Sequence, residues 1–303
     1  MAPSRRRWVA ALALLAATGC GGNSSSSPGP TPQPPPPSQP PAQLTGVLVG
    51  AGDIAVCGSA GAEGTARLLD ASEGTVFTAG DNAYFQGTAS QFAQCYEPTW
   101  GRHRDRTRPT PGNHEYETAG ANAYFSYFGQ NAGPSGLGYY SFEVGNWHIV
   151  SLNSNVLASD GSAQIQWLRQ DLGSTRARCV AAIWHHPLFS SGQNGPVPFM
   201  RDAWRVLREL GADVVIQGHD HIYEVFARQD ENGRATSDGL RSFVVGTGGA
   251  ELTNMGRLAA NSERRMSKVF GVLKLTLRSE SYSWQFISVP PETFTDVGSD
   301  SCR

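Results

Sequence analysis

Two short apolar runs of this chain end on the same pair of residues. TGVLVGAGD (Thr45–Asp53) and GTVFTAGD (Gly74–Asp81) each read as a strand and stop at Gly-Asp. Glycine lets the backbone turn sharply there and approach another group closely. Three more strand-like runs finish on polar clusters: Gly112-Asn113-His114-Glu115 after Thr107–Thr110, His185-His186-Pro187 after CVAAIW, and Gly218-His219-Asp220-His221 after ADVVIQ. In α/β sheets ligands collect beyond the carboxyl ends of strands, so five such clusters in series can converge on one place. That requirement restricts the chain to an α/β fold.

The remaining pattern agrees. EGTARLLDAS has helical spacing, and FAQCYEPTWGR starts as a helix that must stop before Pro98. LGYYSFEVGNWHIVSLNSN reads as a hairpin or meander, with Tyr140, Phe142 and Val144 facing Trp147, Ile149 and Leu152 across a Gly-Asn turn. Ser162–Leu172 is an amphipathic helix, and Pro198–Leu210 is another with Gly211 as its stop. Arg241–Gly249 and Val269–Val289 supply further strands, the latter a hairpin. No internal repeat is evident.

The N-terminus stands outside this pattern. Arg5, Arg6 and Arg7 precede an apolar run from Trp8 to Ala17, too short to span a bilayer and suited to a signal peptide. Ala17-Thr18-Gly19 before Cys20 resembles a bacterial lipobox, which makes residues 1–19 the expected signal and Cys20 the expected lipid anchor and only membrane contact; an ordinary cleaved signal is the alternative. SRRRWVA also resembles a twin-arginine signal, and the route, Sec or Tat, stays open. Ser- and Pro-rich sequence then completes an extended tether over 20–43, with one folded domain expected over 44–303. Removing residues 1–19 takes away three arginines and no acids, so the mature chain is acidic and no nucleic-acid partner is expected. Oligomeric state is not encoded legibly. Apart from Cys20, an even set of four cysteines in an exported protein reads as two disulfides. Three connectivities are open, and Cys57–Cys95 with Cys179–Cys302 is preferred because the second pair pins the C-terminus.

Singly, the five clusters have ordinary explanations: a turn, an Asx motif, a surface histidine pair. Jointly they hold five of the seven histidines. Carboxylate, amide and imidazole donors without thiolates suit Fe, Zn or Mn better than Ca. The series GD, GD, GNHE, H and GHxH resembles the calcineurin-like metallophosphoesterase superfamily over about Val47–Gly249. The resemblance implies a four-layer α/β sandwich, two facing mixed β-sheets flanked by helices, and two metal ions. Carried over by motif, Asp81 bridges the ions; Asn113, His185 and His219 complete one site, and Asp53 and His221 belong to the other.

One departure is informative. Most members of the superfamily carry a histidine two residues after the first aspartate, whereas this chain has Ala55. Tyr84, three residues after Asp81, fills the vacancy: GDNAY is similar to the GDxxY motif of purple acid phosphatases, whose tyrosine binds as phenolate. A phenol with an ordinary pKa near 10 needs a strong Lewis acid to ionise at neutral pH, which implies Fe3+ at the Asp53/Asp81/Tyr84/His221 site and a divalent Fe, Zn or Mn at the Asp81/Asn113/His185/His219 site. The competing reading makes Tyr84 a packing aromatic beside Phe85.

His114 is expected outside the metal ligands, contacting phosphate or assisting the leaving oxygen; with Asp81 it forms the expected catalytic pair. Glu115 either orients His114 or faces solvent. His186 is next to the metals, facing substrate, or packed; His103 and His148 are structural. Asp220 points away from its flanking histidines if the segment is extended. No role carries over for Tyr223 or Glu224, because Val225 stands where the similar YER motif has arginine. These readings imply an exported phosphomonoesterase acting on a phosphorylated small molecule. The alternatives are a phosphodiesterase or nucleotide hydrolase on the same centre, or a surface binding protein with a vestigial site. Substrate choice is expected to lie in Gly120–Leu137 and Ser190–Pro198.

Overall fold

Alternation along buried strands decides which layer each residue joins. In Cys179–Ile183, Ala181 and Ile183 enter one apolar core while Val180 and Ala182 enter another, the period of two that a strand covered on both faces must show. The computed structural model describes residues 43–303. The expected signal peptide, the Cys20 anchor and nearly all of the tether lie outside the described residues.

In chain order the strands are β1 (Leu44–Ala51), β2 (Thr75–Thr78), β3 (Thr107–Arg108), β4 (Tyr140–Val144), β5 (Trp147–Ser151), β6 (Cys179–Ile183) and β7 (Val214–Gln217). They continue as β8 (Tyr223–Gln229), β9 (Leu240–Val245), β10 (Ser262–Met266), β11 (Gly271–Arg278), β12 (Ser281–Ser288) and β13 (Thr295–Ser301). One mixed sheet has the order β13-β12-β11-β1-β2-β3, the other β10-β8-β9-β7-β6-β5-β4. The α-helices are α1 (Ala60–Asp70), the single turn α2 (Ala89–Gln91), α3 (Asn122–Phe128), α4 (Ala163–Ser174) and α5 (Arg201–Glu209).

The sheets face each other. Leu275 and Leu277 of β11 share a core with Ile149, Ile216 and Phe243 of the second sheet. Outside that second sheet, Ile165 and Leu168 of α4 and Trp204 and Leu207 of α5 pack on Val180, Ala182 and Val215. On the other side α1 packs against β11, its first turn capped by the Ser59 hydroxyl accepting from Gly61 N at 3.1 Å. The result is the expected four-layer α/β sandwich, two facing mixed sheets flanked by helices.

The β4–β5 hairpin forms with Gly145 at its turn, φ +61°. The expected helix at Phe92 is a π-helical turn, Phe92–Tyr96, that follows α2 and ends before Pro98. Strands β8, β10 and β13 were not expected. SERRM and TDVGSDS carry almost no apolar residues, and β10 and β13 lie at sheet edges, where one side of a strand needs no core. The two disulfides are the preferred pairs, Cys57–Cys95 with Cα atoms 4.5 Å apart and Cys179–Cys302 at 5.4 Å. The second ties β6 to the residue following β13.

Candidate metal centre

All five clusters follow parallel strands that run the same way within their sheet. Asp53 follows β1, Asp81 and Tyr84 follow β2, and Asn113 and His114 follow β3; β1, β2 and β3 are parallel neighbours. His185 follows β6 and the pair His219/His221 follows β7, again parallel neighbours. The chain leaves the strands by tight turns that put Asp53, Asp81 and His219 at φ +61°, +51° and +70°. Each such left-handed L-residue costs roughly 1–2 kcal/mol, a strain characteristic of functional turns. Gly112 shows why glycine precedes a cluster: a Cβ there would lie 2.1 Å from Asp81 Oδ1.

The first two loops are laddered together, Asp53 N to Gly80 O (3.0 Å), Ile54 N to Asp81 O (2.9 Å) and Tyr84 N to Ala55 O (3.0 Å). This pairing sets Ala55, buried and without a donor, beside the segment that carries Tyr84. The phenol then reaches the place that Ala55 leaves. Tyr84 Oη lies 2.9 Å from Asp53 Oδ1, 3.1 Å from Asp81 Oδ2 and 3.2 Å from His221 Nε2. A second group adjoins it: His185 Nε2 is 3.1 Å from Asp81 Oδ2 and 3.0 Å from Asn113 Oδ1, which is 3.1 Å from His219 Nδ1. Asp81 Oδ2 belongs to both groups. The packing reading of Tyr84 does not account for a hydroxyl aimed at three other donors.

This spacing fits a pair of cations. Nitrogen and oxygen ligands sit about 2.0–2.2 Å from a transition-metal ion, so ligands at right angles are about 3 Å apart. The second contacts of each side chain hold its donor inward. His185 Nδ1 donates to Ala79 O (2.8 Å) and His221 Nδ1 to Glu251 O, which leaves both Nε2 lone pairs facing the centre. Backbone N–H groups hold the carboxylates: His219 N donates to Asp53 Oδ2 (2.8 Å) and His114 N to Asp81 Oδ1 (2.9 Å).

The electrostatics express the same demand. Burial, then the carboxylates of Asp53 and Asp81, hold the Tyr84 phenol well above its ordinary pKa, so only a strong positive charge at its oxygen will ionise it. Burial opposes charge on His185 and His221, but Asp81 and Asp53 respectively outweigh it and raise each to about 9. Burial, aided by His185, depresses His219 to about 4.

His114 stands beside the group. Its Nδ1 donates to Phe85 O, which turns Nε2 toward the centre, 3.7 Å from Asp81 Oδ2. Glu115 does neither thing expected of it. Fully buried, it accepts from Asn82 N (2.8 Å) and Ala83 N (3.2 Å) through one oxygen and from Gly112 N (2.7 Å) through the other, joining the loops of Asp81 and Asn113. Burial and the nearby Asp81 raise it to about 7. His186 packs beside the group, Nδ1 against Ser154 Oγ at 2.8 Å and its ring 4.5 Å from that of His219. His103 and His148 lie outside, bonded to Asp70 and to Glu143 and Asp171.

Asp220 does point away from its neighbours, and its destination was not legible. Its buried carboxylate accepts from Ser190 Oγ and from Asn194 N (2.8 Å), while Asn194 Nδ2 donates to His219 O (2.8 Å). Glu224, also buried, accepts from Ser191 N (2.8 Å) and Ser191 Oγ (2.6 Å). These two acids fix the loop over Ser190–Asn194, one wall of a cavity of about 720 Å³ above the donors. Of the two loops expected to govern substrate choice, Ser190–Pro198 lines this cavity through Gln193 and Asn194, and among the described residues no part of Gly120–Leu137 does. The signal for both acids was their place near the GHDH motif; nothing in the sequence showed what would pack on them.

Residues 49–223, more than half the chain, match the family model for calcineurin-like phosphoesterases. The chain belongs to that family. Its curated relatives are plant purple acid phosphatases, among them Purple acid phosphatase 15 of Arabidopsis thaliana, 30% identical over 215 residues, 57% of this chain and 40% of that protein. Purple acid phosphatase 21 of the same plant is 32% identical over 183 residues, 52% of this chain and 41% of that protein. The chain thus spans about two fifths of the length of the curated relatives it matches. Among solved structures, purple acid phosphatase PPD1 from yellow lupin seeds superposes with a TM-score of 0.76 at 18% identity, covering 86% of this chain and 54% of that one. That likeness is one of fold.

Proposed function

We propose that the chain is a dinuclear-metal phosphomonoesterase of purple-acid-phosphatase type. The observation that carries the reading is Tyr84 Oη held 2.9–3.2 Å from Asp53, Asp81 and His221 where the common histidine is Ala55. Asp53, Asp81, Tyr84 and His221 would hold Fe3+, and Asp81, Asn113, His185 and His219 a divalent ion. When bound, the two ions supply Lewis acidity toward a water nucleophile and the phosphate oxygens.

The protein's own groups perform the rest. Asp81 shares one oxygen between the two donor groups while its other oxygen is tied to His114 N, so the spacing of the centre and the place of His114 are set together. With Nδ1 occupied by Phe85 O, His114 presents Nε2 as the one ring atom able to give a proton to the leaving oxygen, a step worth about 10²–10⁴-fold when well placed. Glu115 keeps the loops of Asp81 and Asn113 in register from below.

Export is part of the same proposal. Two disulfides support a life outside the cytoplasm, and the lipobox-like sequence before Cys20 supports a lipid anchor at the cell envelope.

The test is the visible spectrum of the purified protein beside Tyr84→Phe. A tyrosinate–Fe3+ centre gives a broad charge-transfer band that the variant loses together with most phosphatase activity. If the variant keeps both colour and activity, the assignment of Tyr84 fails.

A further inference from the structure

Resting on that reading, we infer that the site selects phosphoesters whose leaving group is uncharged and apolar, and discriminates against substrates with a second anionic group. The cavity above the donors carries the argument. Its lining includes the apolar residues Val56, Phe85, Leu252 and Phe270. Phe85 is 59% exposed, a large cost in water for an aromatic ring, and among the described residues its one aromatic partner is Tyr84, met edge-on. The Phe85 backbone carbonyl accepts from the His114 imidazole, so the residue that carries the ring also holds the group that faces the leaving oxygen.

The charges around the cavity point the same way. Beyond the donor residues and His114, the ionisable residue lining it is an acid, the exposed Glu251, and among the described residues no lysine or arginine lines it. The ammonium of Lys268 bonds Asn254 Oδ1 at 2.6 Å, at the rim. Gln193, Asn194 and Thr253 supply neutral polar contacts only. A second phosphate or a carboxylate on the leaving group would therefore leave water for a lining with no lysine or arginine of its own and an acid among its residues, the Lys268 ammonium at the rim being engaged by Asn254. An aryl or alkyl group would instead cover the exposed Phe85 ring. The wall of Gln193 and Asn194 is held by buried Asp220, so the cavity cannot readily recruit a distant cation by moving that loop.

Two ligands that differ by one charge test this on the metal-loaded protein. Isothermal titration calorimetry should show benzylphosphonate binding at least tenfold more tightly than 4-carboxybenzylphosphonate. Phe85→Ala should weaken benzylphosphonate about fivefold and leave inorganic phosphate within twofold. Glu251→Lys should close most of the gap between the two phosphonates. Equal or tighter binding of the carboxylated ligand overturns the inference, as does a Phe85→Ala effect that is the same for inorganic phosphate. Hydrolysis of 1-naphthyl phosphate by the same preparation separates the two levels: hydrolysis with no discrimination sinks the selectivity alone, whereas a metal-loaded protein that hydrolyses no ester sinks the phosphatase reading and the selectivity with it.

Discussion

Replacing Glu115 by glutamine keeps the shape of a buried side chain and turns one of its acceptors into a donor. One carboxylate oxygen takes Asn82 N and Ala83 N, and the other takes Gly112 N at 2.7 Å. In Glu115→Gln the amide can keep its oxygen on the pair, which sets Nε2 against the Gly112 N–H; the reverse orientation strands two donors instead of one. At pH 8.5, above the value of about 7 to which Glu115 is raised, the variant loses a charge-assisted bond and leaves a buried donor unpaired, about 3 kcal/mol together. For a domain of this size that is a melting temperature lower by about 6 °C, at roughly 2 °C per kcal/mol. The same loops carry Asp81, Tyr84 and Asn113, so bound metal and activity should fall with stability. Calorimetric melting of the variant, with exposed Glu117→Gln as control, gives the measurement. A Glu115→Gln melt within about 1 °C of the control refutes the reasoning, because it means the three N–H groups find other partners.

Three further outcomes are expected. Asp220→Asn should raise amide hydrogen exchange over Ser190–Asn194 by about tenfold or more, since one charge-assisted bond to that loop is lost; unchanged protection by mass spectrometry counts against the clamp. The double variant Cys179→Ser, Cys302→Ser opens a link with sequence separation 123 and should cost up to about 5 kcal/mol, or about 10 °C of melting temperature; a loss under about 2 °C contradicts it. For His148, burial lowers the pKa, but the hydrogen bonds to Asp171 and Glu143 outweigh it and raise the net value. A raised histidine stabilises fully below its unfolded pKa of about 6.5 and loses that contribution as pH climbs through the folded value. The stability gap between wild type and His148→Gln in urea should thus be wider at pH 5.5 than at pH 8.5, and the opposite order would be decisive against it.

That these side chains converge was legible because chemistry restricts candidate donors. A metal ligand must be one of a few residue types at the end of a strand, and Tyr84 could be singled out because Ala55 left a deficit that only a nearby donor could fill. The convergence of the five strand ends followed from the same clusters, and the sandwich from the family resemblance that they carry. The supports were not legible. Whether Glu115, Asp220 or Glu224 faces water or a row of backbone N–H groups depends on which loop packs over it, and an acid looks the same in sequence either way. Strands β10 and β13 escaped for the converse reason: their partners are backbone atoms, and edge positions impose no apolar alternation.

The two sheets do not contribute alike to the centre. The sheet containing β1, β2 and β3 delivers every oxygen donor, Asp53, Asp81, Tyr84 and Asn113; the sheet containing β6 and β7 delivers every imidazole, His185, His219 and His221. Neither half has a complete set for either ion. The first half alone sets two carboxylates together with no imidazole, and the second alone sets three imidazoles together with no carboxylate. On the proposed ligand assignment, capture of the metals would be a closing event in the maturation of this protein, one that reports the docking of the two sheets. In a refolding time course, metal uptake should trail the burial of Trp147, which lies in the core that the sheets share.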